Sequence, residues 1–200
     1  MKHIATAAAL TALTSLAHAS LLTNGSFEQP GSTAWNHFTN GQVPGWKTDG
    51  GEVIEIGKPI VYGVTGADGS NVAELDSTSN IALSQTVQLT AGNYDFSFLF
   101  AKRGVNLEGR PTNTCDFDVL WNHVLIGSVS PTSSTFQEMH FLVTAATGTN
   151  TVTFHGTGAS DGMGALIDRA DLQAVPEPFS LLALAPLVGA MAKRKDKFRK

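Results

Sequence analysis

Two carboxylates sit where an acid needs a partner. In "ALIDRADL", Asp168 shares strand parity with Leu166, Ala170 and Leu172. A strand that turns those residues inward turns Asp168 inward too. A buried carboxylate must be hydrogen-bonded, ion-paired or bound to a metal. Near the other end, "NGSFEQP" sets Glu28 beside Phe27, a core-type residue. Cations to pair with them are scarce. Between Ser20 and Ala174 the bases are Lys47, Lys58, Lys102, Arg103, Arg110 and Arg169. The chain's 17 acids fall to 15 there once Glu177 and Asp196 are set aside, which leaves this stretch near −9. A hard cation such as Ca²⁺, which takes carboxylate and carbonyl oxygens, suits such a setting. The same balance excludes nucleic-acid binding through a basic patch, because counterion release needs clustered Lys and Arg.

Signals for catalysis are thin. His37, His123, His140 and His155 lie in no H-E-x-x-H, and no G-x-S-x-G occurs. Glu55, Glu74 and Asp76 could form a glycosidase-type pair, but their pattern reads as exposed strand carboxylates. "GADGSNVAELD" is Gly-rich without a P-loop Lys and reads as a turn entering a strand. Cys115 is the lone cysteine, so no internal disulfide forms, and it reads as a buried, inert thiol. Aromatics suited to stacking on sugar rings stand in the irregular first third: Trp35, Trp46 and Tyr62. Trp46, after Pro44-Gly45, equally suits a core cap. Arg103, Asn106 and Arg110 lie in the loop "KRGVNLEGRPTNT", a further place for ligand contacts.

The elements that must hold these residues are strands. Nine short runs with turn residues between them predict a β-sandwich or jelly roll: "EVIEIG", "NVAELD", "IALSQTVQL", "NYDFSFLFA", "CDFDVLW", "VLIGSV", "FQEMHFLV", "NTVTFHG" and "ALIDRADLQ". Alternation places Tyr94, Phe96, Phe98 and Phe100 on one face, and Phe117, Val119 and Trp121 on another core face. Trp121-Asn122-His123-Val124 predicts a tight hairpin.

Both ends differ from this body. Residues 1–19 have Lys2, an apolar Ala-rich run and Ala17-His18-Ala19, the order of a secretory signal peptide, so the mature chain is expected to start at Ser20. Residues 20–174 form one domain. Residues 175–200 hold Val175-Pro176-Glu177-Pro178, an uncharged run at 179–192 and a basic tail at 193–200. The run is short for a bilayer, but snorkelling bases can extend a span and hold that end on the cytoplasmic side.

This C-terminal segment resembles the PEP-CTERM sorting tag. The resemblance implies export in a Gram-negative bacterium, a transient membrane tether and an exosortase that removes the tail. The body resembles another family. "LLTNGSFEQP" and "GALIDRADL" are similar to the bracketing motifs of galactose-binding-like jelly rolls. With "VPGWK", "DGSNVAELDS" and "SQTVQLTAGNYDFSFLFAKR", they resemble a domain-of-unknown-function family of plant cell-wall and bacterial PEP-CTERM proteins. This implies an all-β jelly-roll sandwich and a structural calcium joining first and last strands, with Glu28, Asp168 and the Gly25 carbonyl as ligands. The family often has Asp-Asp where this chain has Asp168-Arg169; Arg169 could project outward, or pair with a carboxylate and weaken the metal site. The expectation is an exported, non-catalytic module binding extracellular polysaccharide. A structural matrix protein without a glycan ligand is the alternative, and a glycoside-active enzyme a third.

Overall fold

A computed structural model describes residues 19–105 and 114–176. The predicted signal peptide (1–19), all but its last residue, lies outside them. So do Asn106, Arg110, Glu177, Pro178 and the apolar run and basic tail. Among the described residues no helix is long and apolar enough to cross a membrane.

Eleven strands and one helical turn follow in order. They are β1 (Trp35–Phe38), β2 (Lys47–Thr48), β3 (Ile54–Gly57), α1 (Pro59–Tyr62), β4 (Val72–Glu74), β5 (Ala82–Leu89), β6 (Gly92–Lys102), β7 (Phe117–Trp121), β8 (Val124–Val129), β9 (Gln137–Ala145), β10 (Gly148–Gly156) and β11 (Ala165–Ala174). They make two antiparallel sheets, ordered β1-β3-β4-β11-β6-β9 and β2-β5-β10-β7-β8. The protein is an all-β, jelly-roll β-sandwich. All nine predicted runs are strands. Those missed are β1 and β2, at four and two residues too short to show a period.

The core lies between the sheets. Tyr94, Phe96, Phe98 and Phe100 face Phe117, Val119, Trp121, Val152 and Phe154. Phe98 meets Phe154 edge-on at 4.8 Å, a favoured quadrupole geometry. Asn122 and His123 both have positive φ, 51° and 65°, as a two-residue hairpin turn requires, and Trp121 pairs with Val124 across it.

The parity argument for Asp168 needs correction. A bulge interrupts β11 between Asp168 and Asp171, and Arg169 takes a φ of 42°. The extra residue flips the faces. Ile167, Ala170 and Leu172 point into the main core, whereas Leu166 belongs to a second cluster with Tyr62, Val64, Val72, Leu99, Ala101 and Phe136. Asp168 is fully buried as expected, but on the side of Leu166, not of Leu172.

That second cluster covers the outer face of the six-stranded sheet. The strap from Lys58 to Asn71, which includes α1, lies over it, and the backbone NH groups of Gly104 and Val105 donate to the Tyr62 carbonyl at 2.9 and 3.1 Å. The sandwich thus carries a small third layer, and the acids sit beneath it.

Candidate functional site

Antiparallel register sets a line of side chains across the outer face. His37 pairs with Glu55, Glu55 with Glu74, Glu74 with Leu166, and Leu166 with Ala101. Three polar residues therefore stand side by side, and apolar Leu166 and Ala101 continue the line. Glu55 and Glu74 are buried, not exposed as their sequence suggests. The difference comes from the strap, whose covering of the sheet leaves no local sequence signal.

Each carboxylate has its own partners. Glu55 Oε2 lies 2.9 Å from His37 Nε2, and its Oε1 accepts from the Tyr62 hydroxyl at 2.9 Å. Glu74 accepts from Arg103 Nη1 at 2.8 and 2.9 Å and from the Gly164 amide at 2.9 Å. Burial pushes the Glu74 carboxyl well above the usual carboxylate range; Arg103 pulls against this and the Glu55 charge adds to it. The Arg103 guanidinium also lies 5.0 Å from the Tyr62 ring centre, a cation–π contact. Tyr62 can settle onto the sheet because Gly57 beneath it has no side chain: a Cβ there would collide with the phenol. Burial and the neighbouring acids raise the Tyr62 hydroxyl far above its usual range.

At the outer edge of this line is Trp35. It pairs with Gly57, is 53% exposed, and its ring centre lies 5.2 Å from that of His37. The indole and imidazole form a ledge whose imidazole is oriented from below by a buried carboxylate.

Further along the strap, residues 68–71 form a turn that both sequence-predicted acids grip. Glu28 Oε1 accepts from the Ser70 and Asn71 amides at 2.7 and 2.8 Å, and Oε2 from Asn71 Nδ2 at 3.3 Å. Asp168 accepts from the Asp68 amide at 2.6 Å and its neighbour Arg169's amide at 2.7 Å. Gly69 has a φ of 79° and presses on Glu28, so a side chain there would be strained and obstructed. Burial pushes the Asp168 carboxyl up to about 8; the two amides oppose this, and the charges of Asp68 and Glu28 add to it. Arg169 does not neutralise Asp168, because its guanidinium pairs with Glu138 at 2.5 Å.

The predicted sites thus separate. Glu28 and Asp168 come together on one turn. The Gly25 carbonyl accepts from the Ala170 amide at 3.0 Å, at the β11 bulge. Of the two readings open for Trp46, the core one holds and the sugar-stacking one does not: it is 2% exposed, packs against Phe27 and Phe154, and donates Nε1 to the Asn24 carbonyl at 3.0 Å. Tyr62 and Arg103 are likewise buried, so neither offers a face to a sugar. Of the three stacking aromatics only Trp35 remains open. Cys115 is buried, and burial pushes its thiol up. Sequence reasoning missed His37 and Asn71. The spacing of Trp35 and His37, two residues apart, could have revealed the first had β1 been recognised; no local signal marks the other.

No family model matches the chain. Among curated proteins it is 37% identical over 154 residues to a multifunctional-autoprocessing repeats-in-toxin of Vibrio vulnificus, and 35% over 163 residues to one of Vibrio cholerae serotype O1. These matches take in 74% and 78% of this chain, which spans about 3% of each toxin's length. Similar solved structures include a CBM35 from Paenibacillus barcinonensis (18% identity, 70% of this chain, 99% of the other, TM-score 0.44). Another is TmCBM61 in complex with beta-1,4-galactotriose (15% identity, 79% of this chain, all of the other, TM-score 0.45).

Proposed function

We propose that this chain is an exported, non-catalytic carbohydrate-binding module that contacts extracellular polysaccharide through the Trp35–His37 ledge. The observation that carries this reading is the exposed Trp35 beside an imidazole tied to a buried carboxylate. An aromatic face stacks on the apolar face of a pyranose, and a fixed polar group beside it orients the ring. Glu55 and Glu74 are a poor acid–base pair for hydrolysis, since Glu74 has no solvent-exposed surface and is held by Arg103 and a backbone amide.

Replacing Trp35 with Ala is expected to weaken binding to a retained insoluble polysaccharide roughly 2- to 13-fold, from about 0.5–1.5 kcal/mol of stacking, with the melting temperature unchanged. Affinity electrophoresis reads this. Unaltered retention would move the site elsewhere.

A calcium ion at the 68–71 turn belongs to the same reading. Among the described residues no three His, Cys, Asp or Glu side chains converge as a ready cage. The donor chemistry nonetheless fits a cation. Asn71 is buried with its Oδ1 unpartnered, and Asp168 lacks a basic partner. Glu28, Asp168, Asn71 Oδ1 and the Gly25 carbonyl would hold the ion, which would clamp the first segment, the strap and the last strand.

Export rests on the signal-peptide and PEP-CTERM resemblances. The toxin matches are consistent with a module that recurs inside larger proteins. An exosortase-type enzyme would cut after the Val175-Pro176-Glu177-Pro178 motif. Intact mass of surface-extracted protein is expected to start near Ser20 and lack Lys193 to Lys200; a dominant form retaining that tail would exclude the cut.

A further inference from the structure

One end of the sandwich holds the place where the chain leaves the fold. Asn93 at the start of β6 pairs with Thr144 at the end of β9, and the Val175 amide, just past β11, donates to the Asn93 carbonyl at 2.9 Å. The β7–β8 hairpin is tied to the same place: Trp121 Nε1 donates to the Thr144 carbonyl at 2.9 Å, and Asn122 Nδ2 to Asn150 Oδ1 at 2.9 Å. The Ala91 amide donates to Thr147 Oγ1 at 3.1 Å. The N-terminal segment enters alongside, where the Leu21 amide donates to the Leu172 carbonyl at 3.0 Å.

Three observations meet at this end. The first is apolar exposure. Among the described residues, five of the eight exposed large apolar side chains stand here: Leu21, Val124, Leu125, Leu142 and Val175, between 40% and 72% exposed. Such residues scattered singly need no explanation, but a group of them at one end does. The second is charge. Residues 20–24, 89–93, 121–125, 144–150 and 174–176 build this end and hold no Asp, Glu, Lys or Arg, although the domain as a whole is acidic. The charged flank begins with Asp95, opposite Leu142, and with its partner His140. The third is reach. Only residues 175–178 separate the end of β11 from the uncharged run at 179–192. Four residues span at most roughly 14 Å, so whatever that run enters lies close to this end.

We propose that this end rests on the surface of a lipid bilayer while the tail is attached. Its apolar tips enter the headgroup layer, and no charged side chain there has to be desolvated. The short link keeps the face at high local concentration near the surface, so contacts too weak to hold a free domain suffice. The inference rests on the reading of the tail as a membrane tether and goes beyond it by fixing which way the domain faces. Trp35 pairs with Gly57 and Gly57 with Val72, whose neighbour Ala73 pairs with Ile167. That row meets β11 beside Asp168, six residues before Ala174, so at ~3.3 Å per residue the Trp35 ledge stands roughly 20 Å clear of the lipid.

The test places the full chain on phosphatidylethanolamine–phosphatidylglycerol vesicles that carry a headgroup spin label. A bimane is attached in turn to Val124→Cys, Leu142→Cys and, in the exposed β8–β9 loop at the opposite end, Thr132→Cys; Cys115 is buried and does not compete for the label. The expected result is loss of fluorescence at Val124 and Leu142 and none at Thr132. Adding Val124→Asp and Leu125→Asp to the Leu142 probe is expected to restore its fluorescence, with flotation on the vesicles and the melting temperature unchanged. Equal quenching at both ends, or none at Val124 and Leu142 in chains that float, overturns this inference alone. An emission change at Val124 that needs no vesicles assigns the face to a second copy of the chain and overturns it too. Chains that do not float at all remove the tether reading together with it.

Discussion

Arg103→Met is expected to lower the unfolding free energy by about 3–5 kcal/mol at pH 7, because it strands Glu74 as an uncompensated buried charge. Glu74 is fully buried, and Arg103 Nη1 donates to both of its oxygens, at 2.8 and 2.9 Å. Methionine keeps much of the apolar stem over Tyr62 but offers no donor. The loss should depend on pH in a definite direction. Burial already raises the Glu74 carboxyl, and removing Arg103 removes what opposes that rise. A group raised in the folded state contributes stability that is complete below its unfolded pKa and lost as pH climbs. The variant's deficit should therefore be small in acid and grow toward neutrality. Adding Glu74→Gln to the variant should recover part of the loss, since an amide can still accept from the Gly164 NH without carrying charge. Urea unfolding at several pH values measures all three. A deficit under 1 kcal/mol at pH 7, constant with pH, would mean that the pair matters little.

Chelator is expected to expose a second pH dependence, at Asp168. In metal-free protein its carboxyl is pushed from the ordinary 3.8 up to about 8. The folded state therefore holds this proton more tightly than the unfolded state. Stability from this group is complete below about pH 4 and is lost as pH rises toward 8, by at most about 1.4 kcal/mol per unit. Asp168→Asn should remove that slope and, in chelator at pH 8, melt higher than the unsubstituted protein. Calcium should reverse the order. An ion that binds only the folded state stabilises by about 2.7 kcal/mol at a hundredfold excess over Kd, and the Asn variant should forgo most of this. Scanning calorimetry with chelator and with calcium gives the four melting temperatures. The absence of any calcium effect on the unsubstituted protein would leave the turn held by its amides alone.

Strand periodicity in the sequence was enough for the sandwich. Phenylalanines at every second position of β6, matched by Phe117, Val119 and Trp121 in β7, require two apolar faces to meet, whatever the topology. The hairpin at Asn122 was equally legible, because positive φ favours few residue types. Local pattern also marked Glu28 and Asp168 as acids near apolar neighbours. What it could not supply was the bulge at Arg169. That insertion moves Asp168 to the outer face while Ala170 and Leu172 stay in the core, and no alternation rule survives an extra residue. Nor could it supply the strap. Glu55 and Glu74 read as exposed, and Tyr62 and Arg103 as ligand contacts, until residues 58–71 fold back over the sheet. Burial of a polar group is decided by what covers it, and here the cover comes from another part of the chain. Trp35 and Trp46 show the same division: both are tryptophans in an irregular region, and only the packing of Phe27 and Phe154 around one of them left the other to face solvent.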